Sequence, residues 1–349
     1  MNVFQNCRVA AANVDPEEYS RTDEKRGSLA YPMSRSELLS LSACPARWRA
    51  GYIRPESKAL ANGNLIDVLL LQADKFVDRY VECPATYETT GMRCPVCLSV
   101  TDSKTCRSCK CDREPVKITK EWDWKSTHCQ EWKEANKGRE PVKAEAMAEA
   151  RTAVQTVMAD PVIADMLANA QTQLMVVGEY ADKATGLVVP VKALLDIVPS
   201  SSGQFSKWLL DFKTSRSAAM HAWTRDCFNY GYACQAAFHS ALYCAATGED
   251  RCTWGHIIQE NVAPYHVEKR ILSVEFVELG RNQYLSALAL YCQCLSKNVW
   301  PGYYAQTTID GFDLVQPDAY MLAASDSRPL EAPEEPTTET LAHSEDIIP

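Results

Sequence analysis

Glu179, Asp196, Asp211 and Lys213 put three carboxylates and one amine on three successive apolar segments. The segments are LMVVGEY (174–180), LVVPVKALLDIV (187–198) and FSKWLLDFKTS (205–215). Each is rich in Val, Leu or Ile, which predicts buried strands of one small sheet. Side chains alternate across a strand, so Asp211 and Lys213 share a face. Many solvated strands carry such a D-x-K pair by chance. Here Asp196 and Asp211 close the apolar runs ALLD and WLLD, where an unpaired charge is costly. Carboxylates that hold a hard divalent cation, beside an amine that orients or polarises a water, are equipped for phosphodiester hydrolysis.

A second constellation lies upstream. Cys94-Pro-Val-Cys97 and Cys106-Arg-Ser-Cys109 form C-x2-C-x8-C-x2-C. Two such hooks can place four thiolates around one tetrahedral Zn2+, and four cysteines leave no open position for catalysis. Residues 86–108 hold few large apolar side chains, so metal would supply the folding free energy. The alternative is free thiols in a loop, and Cys83 and Cys111 are close enough in sequence to compete as ligands. Residues 93–143 carry twelve Lys or Arg against eight Asp or Glu, with Trp122, Trp124 and Trp132 interleaved. Basic residues with aromatics can track a phosphate backbone and stack on bases. The other reading, favoured for Trp132, packs the tryptophans against the main domain.

These residues need a scaffold. The 349 residues are 46% hydrophobic, which predicts one large domain with a small insert. Residues 1–33 read as loose. Residues 34–82 hold helices over 34–50 and 62–76, the second with Leu65, Val68, Leu69 and Phe76 on one face. Residues 83–142 form the zinc insert and linker. Residues 143–305 form the core: a helical stretch divided at Pro161, the three strands, a long helix over 222–246, strands TWGHIIQE and YHVEKRILS, and a helix over 275–297. Residues 326–349 are Pro-, Glu- and Thr-rich and read as a disordered acidic tail. The net charge of −9 falls largely there: seven acidic residues against Arg328 give −6, leaving −3 for residues 1–325. Contact with nucleic acid needs only a local basic lining. The N-terminus lacks a secretory pattern and no apolar run is long enough to span a membrane. A cytoplasmic protein with reduced cysteines is expected.

The chain resembles the PD-(D/E)xK nuclease superfamily, and within it the exonuclease VIII (RecE-like) branch of phage and prophage recombination exonucleases. The resemblance runs from about residue 34 to 303 through ordered motifs: SRSELLSLSACPARWRAGY (34–52), NGNLIDVLLLQADKF (62–76), WKEANKGREPV (132–142), VKALLDIV, LLDFKTS, YGYACQAAFHSALY (230–243), IIQENVAPYHV (257–267) and WPGY (300–303). It implies an α/β, restriction-endonuclease-like core, a central mixed sheet flanked by helices, here with a zinc-ribbon insert. It implies Mg2+- or Mn2+-dependent exonuclease action on double-stranded DNA ends, 5′→3′, leaving 3′ single strands. Asp196 and Asp211 would ligate the metal with the Phe212 backbone carbonyl. Glu179 would hold a second metal or its water, and Lys213 would position the attacking water. Gln235 falls in the Q-A-A-F motif, and Thr214, His239 and Tyr243 are the candidate substrate contacts. Two positions depart from the pattern. Asp67 stands where the branch has a metal-binding His, and His239 where it has Tyr; Tyr243 lies one turn further on. Ring-shaped homo-oligomers, a single-strand annealing partner and a bacterial or phage-infected cytoplasm follow from the resemblance alone. The alternatives are a structure-specific endonuclease of the same fold and a non-catalytic DNA-binding scaffold.

Overall fold

Val- and Leu-rich segments of strand length build one six-stranded sheet, and its strand order decides which side chains meet. The structure, a computed structural model, describes residues 3–53, 58–251, 253–303, 308–309, 312–313 and 315. The chain opens with β1 (Phe4–Ala11), α1 (Pro16–Ser20), α2 (Arg35–Ala43), α3 (Pro45–Arg49), α4 (Lys58–Leu71), α5 (Phe76–Arg79) and β2 (Tyr80–Cys83). The insert follows as β3 (Thr86–Arg93), β4 (Val100–Thr101), β5 (Glu114–Glu121) and α6 (Thr127–Ala135). Then come β6 (Glu140–Lys143), α7 (Ala144–Met158), α8 (Pro161–Leu167), β7 (Gln171–Ala181), β8 (Val188–Val198) and β9 (Trp208–Ser215). The remainder is α9 (Met220–Asn229), α10 (Tyr232–Thr247), β10 (Thr253–Glu260), β11 (Val267–Ile271) and α11 (Val274–Lys297). From Tyr303 the chain is a separate unit, in which β12 (Thr308–Ile309) pairs with β13 (Phe312–Asp313). The expected acidic tail lies outside the described residues.

The sheet order is β1-β7-β8-β9-β10-β11. Only β9 and β10 are parallel, and α9 and α10 form the crossover that a parallel pair needs. Leu38, Trp48, Phe238, Leu242, Leu288 and Tyr291 fill one core, under α2, α10 and α11. Leu65, Met147, Val157, Ile163 and Phe212 fill a second, under α4, α7 and α8. The result is the expected mixed sheet flanked by helices.

Several expectations need correction. Residues 4–11 are not loose: they pair with β7, and Phe4 is buried among Tyr180, Phe238 and Tyr284. The strand hides in the sequence because most of its other side chains are exposed, as suits an edge. The helix over 34–50 breaks at Cys44, since a residue before proline is driven to extended backbone. The helix over 222–246 is two helices, α9 and α10, divided at Gly231 in the left-handed region (φ 66°).

The insert stands on its own small sheet, β4-β3-β5, with two turns carrying the cysteines beyond it. Its two ends leave the main body on β2 and β6, which pair in parallel. Trp122 packs edge-on against Trp124 and Trp132, and Tyr87 stacks on His128. The tryptophans therefore pack against one another, forming a core local to the insert. No helix among the described residues is long and apolar enough to cross a membrane.

Candidate active site

Strand alternation sends Asp211 and Lys213 to the α10 side of β9, while Phe212 enters the opposite core. Asp211 is 1% exposed, and a buried carboxylate needs partners. Gln235 on α10 donates from Nε2 to Asp211 Oδ1 at 2.6 Å. Arg35 on α2 fixes that amide from behind, donating from Nη2 to Gln235 Oε1 at 2.8 Å. Lys213 Nζ lies 2.5 Å from Asp211 Oδ2 and 3.6 Å from Asp196 Oδ2. It also donates to the Phe212 carbonyl at 3.2 Å. The Phe212 N–H donates to Asp196 Oδ2 at 3.3 Å.

Asp67 on α4 joins the same electrostatic field. Burial, and then the neighbouring Asp211, push its carboxyl up to about 7, against the opposing pull of Lys213 and Arg79. Burial and the adjacent Asp211 likewise hold Asp196 well above the usual carboxylate range. Asp211 keeps its charge: the Lys213 ammonium beside it outweighs burial and holds it down to about 2. Burial works against the Lys213 ammonium, but Asp211 and Asp196 more than compensate and raise its pKa. Asp67 opens onto a cleft of about 290 Å3 that is also lined by Asn64, Gln173, Arg79 and Glu17.

This donor set suits a hard cation. One positive charge, the ammonium of Lys213, already sits against two carboxylate oxygens and a carbonyl oxygen. Burial and the neighbouring carboxylate make two of the three carboxylates easier to protonate than usual, against the pull of that single charge. Asp211 Oδ2 has no hydrogen-bond donor beyond the ion pair. A divalent ion with oxygen preference would satisfy all three conditions.

The structure places four predicted residues elsewhere. Glu179 pairs in register with Pro190, six residues along β8 from Asp196, or roughly 20 Å at strand rise. Its carboxylate accepts from Asn6 Nδ2 at 2.7 Å and Gln5 Nε2 at 3.3 Å, so it joins β1 to β7. Gln173, a neutral residue, stands opposite Asp196 between the pairs Thr172–Ile197 and Leu174–Leu195. His239 is buried between Phe238 and Trp254, and burial pushes its imidazole down to about 3. Tyr243 is buried and donates to Glu249 Oε2 at 3.0 Å. Thr214 packs under α4, its Oγ1 2.8 Å from where a Cβ on Gly63 would lie. His239 and Tyr243 are buried and do not present their side chains as open substrate contacts, while Thr214 is half-buried.

Two neighbours of Asp211 were not read from the sequence. His256 Nε2 lies 3.8 Å from Asp211 Oδ2 and accepts from Trp254 Nε1 at 3.2 Å, so it is neutral on that nitrogen. Burial lowers its pKa to about 4. The parallel register places His256 beside Asp211. Arg35 comes from a helix two hundred positions away. Neither has a local sequence signal, because each arrives by tertiary packing.

The second constellation closes as expected. One Sγ atom from each of Cys94, Cys97, Cys106 and Cys109 lies within 4.8 Å of every other. Cys111 Sγ is 3.4 Å from Cys94 Sγ, so it borders the cluster. Cys83 instead neighbours Cys129 at the base of the insert. Among the described residues no other group of three His, Cys or acidic side chains converges as tightly.

The profile of a PDDEXK-like domain of unknown function, DUF3799, matches residues 32–308. Among solved structures, one from Eubacterium rectale described as a "putative exonuclease" is similar at 13% identity and TM-score 0.49, covering 90% of this chain and 100% of that one. No curated protein matches the sequence.

Proposed function

This chain belongs to the PDDEXK-like family DUF3799, and from that premise we propose that it is a divalent-metal-dependent DNA exonuclease. The observation that carries the reading is the set of oxygens around Lys213 Nζ: Asp211 Oδ2, Asp196 Oδ2 and the Phe212 carbonyl. Mg2+ or Mn2+ would be held by Asp196, Asp211 and the Phe212 carbonyl, with Asp67 completing the set from α4. Such an ion supplies charge neutralisation at the scissile phosphate and a nucleophile at neutral pH. Gln235, itself fixed by Arg35, keeps Asp211 Oδ1 occupied and turns Oδ2 to the site. Lys213 would yield the cation position to the ion, and its ammonium faces the Tyr232 ring at 5.8 Å. There it orients the attacking water and stabilises charge developing on the phosphate. His256 lies 3.8 Å from Asp211 Oδ2 and accepts from Trp254, so its Nε2 does not donate to the site.

The finer assignment is 5′→3′ degradation of double-stranded ends, leaving 3′ strands for an annealing protein in phage-type recombination. Ring assembly belongs to the same reading. Its support is the order of motifs from residue 34 to 303. One Zn2+ held by Cys94, Cys97, Cys106 and Cys109 completes the cofactor set, supported by the convergence of four thiols. Incubation of end-labelled linear duplex and closed circular duplex, with and without Mg2+, tests the proposal. Loss of label from the linear DNA alone, only with metal, and not with Asp211→Asn, is expected. Cutting of the circle would establish the endonuclease alternative, and inert protein with intact DNA binding would establish the scaffold.

A further inference from the structure

We propose that the cysteine insert grips the end of a DNA duplex: its second turn holds backbone phosphates and its first covers the terminal base pair. The proposal rests on the reading that the substrate is DNA with free ends. The two turns share one backbone design. Cys97 N–H points to Cys94 Sγ at 3.4 Å, and Cys109 N–H to Cys106 Sγ at 3.5 Å. Leu98 N–H donates to Cys94 O at 3.0 Å and Lys110 N–H to Cys106 O at 2.9 Å. Cys94 N–H donates to Ser99 O, and Cys106 N–H to Cys111 O, both at 2.9 Å. Because the backbones match, the side chains at their tips are not dictated by the fold.

Those side chains differ in kind. The first turn exposes Val96 (69%) and Leu98 (57%), with Val100 beside them. The second exposes Arg107 and Lys110, with Lys104 just before it. Leu98 and Lys110 occupy the same place in their turns, and both are left-handed, at φ 60° and 56°. Glycine or asparagine would suit that conformation better. A strained leucine and a strained lysine, both exposed, point to a use for the side chains themselves. Lys120 pairs with Asp102 at 3.1 Å, but Lys104, Arg107 and Lys110 make no ion pair among the described residues. Three unpaired cations suit a phosphate backbone. An exposed aliphatic tip beside them suits the apolar face that a duplex presents only at its end. The tryptophans, packed into the insert's own core, are not the stacking platform.

The test uses the full chain without added Mg2+, so binding is read independently of hydrolysis. Fluorescence anisotropy compares a duplex with one open end and the same duplex closed by loops at both ends. The wild type should prefer the open end. Lys104→Gln/Arg107→Gln/Lys110→Gln should weaken both by about tenfold or more and lower the log–log salt slope by roughly 3. Val96→Ser/Leu98→Ser should erase the preference for the open end and leave the closed duplex unaffected. Bound metal and melting temperature should match wild type in both variants, separating recognition from unfolding. Wild-type affinity in the triple variant overturns the proposal, and leaves an acidic protein as the occupant of that face. Equal wild-type binding to both DNAs overturns the end-specific part. End binding through these residues by a protein that never cuts would sink the nuclease reading and keep this one.

Discussion

Lys213 sets the terms on which a metal can bind, because its ammonium touches the three oxygens that an ion needs. Under the proposed function, replacing it with methionine removes both a competitor for the ion and the group that orients the attacking water. Lys213→Met should bind Mn2+ more tightly than wild type by calorimetry, while DNA hydrolysis falls by about 10²-fold or more. Unchanged Mn2+ affinity would mean that the ammonium does not occupy the cation position. Buried histidines give a second expectation. His239 and His256, ordinarily near 6.5, are pushed down to about 3 and about 4. Their folded pKa values are depressed, so the stability they contribute is complete above about pH 6.5 and lost as pH falls toward 3–4. Asp67 runs the other way, contributing most at low pH and losing that contribution as pH rises through about 7. His239→Phe, facing Phe238 and Trp254, should flatten the acid limb by on the order of 2 kcal/mol at pH 5 in denaturant titrations taken from pH 8 downward. An acid limb as steep as wild type would show that His239 is not the sensor. Asp196, Asp211 and Lys213 were legible because strand period and apolar flanks are local. Glu179 misled because the sequence does not say how far one strand slides against the next.

Close helix packing depends on a single absent side chain. A Cβ on Gly280 of α11 would overlap the carbonyl of Ala233 on α10. Gly280→Ala must push α11 away from the helix that carries Gln235, at a cost of about 1–3 kcal/mol and sometimes more. A lowered melting temperature is expected and, under the proposed function, a higher Mg2+ requirement, since Gln235 would shift from Asp211. Gly302→Ala meets nothing within 4 Å and serves as the control. If both variants melt alike, the crossing is looser than it looks. Helices α7, α8 and α11 were legible from period, Pro161 and apolar faces. The break at Gly231 was not, because a glycine inside an apolar helical pattern can stay helical or turn left-handed, and only packing against Leu39 decides.

At the scale of the whole molecule, the insert and the main sheet have separate reasons to fold. The insert relies on four thiols and a cluster of tryptophans; the sheet relies on two apolar cores. If the four thiols hold the proposed Zn2+, a strong chelator should speed hydrogen exchange over residues 86–121 and leave β7 to β10 protected. Under the proposed function, KM for DNA should rise while kcat is largely kept. Loss of protection across the main sheet would show that the two are coupled. The spacing of the cysteines made this division readable, whereas the closing pair of β2 and β6 was not, being four residues each and far apart in sequence. That pair has a further consequence. The insert departs and returns on neighbouring strands, so it can be gained, lost or exchanged in evolution with only a short splice in the main body. Its two turns share one backbone design and differ in what they expose, apolar side chains on one and cations on the other. A protein built this way could change what it grips by trading a cassette, with its main sheet left untouched.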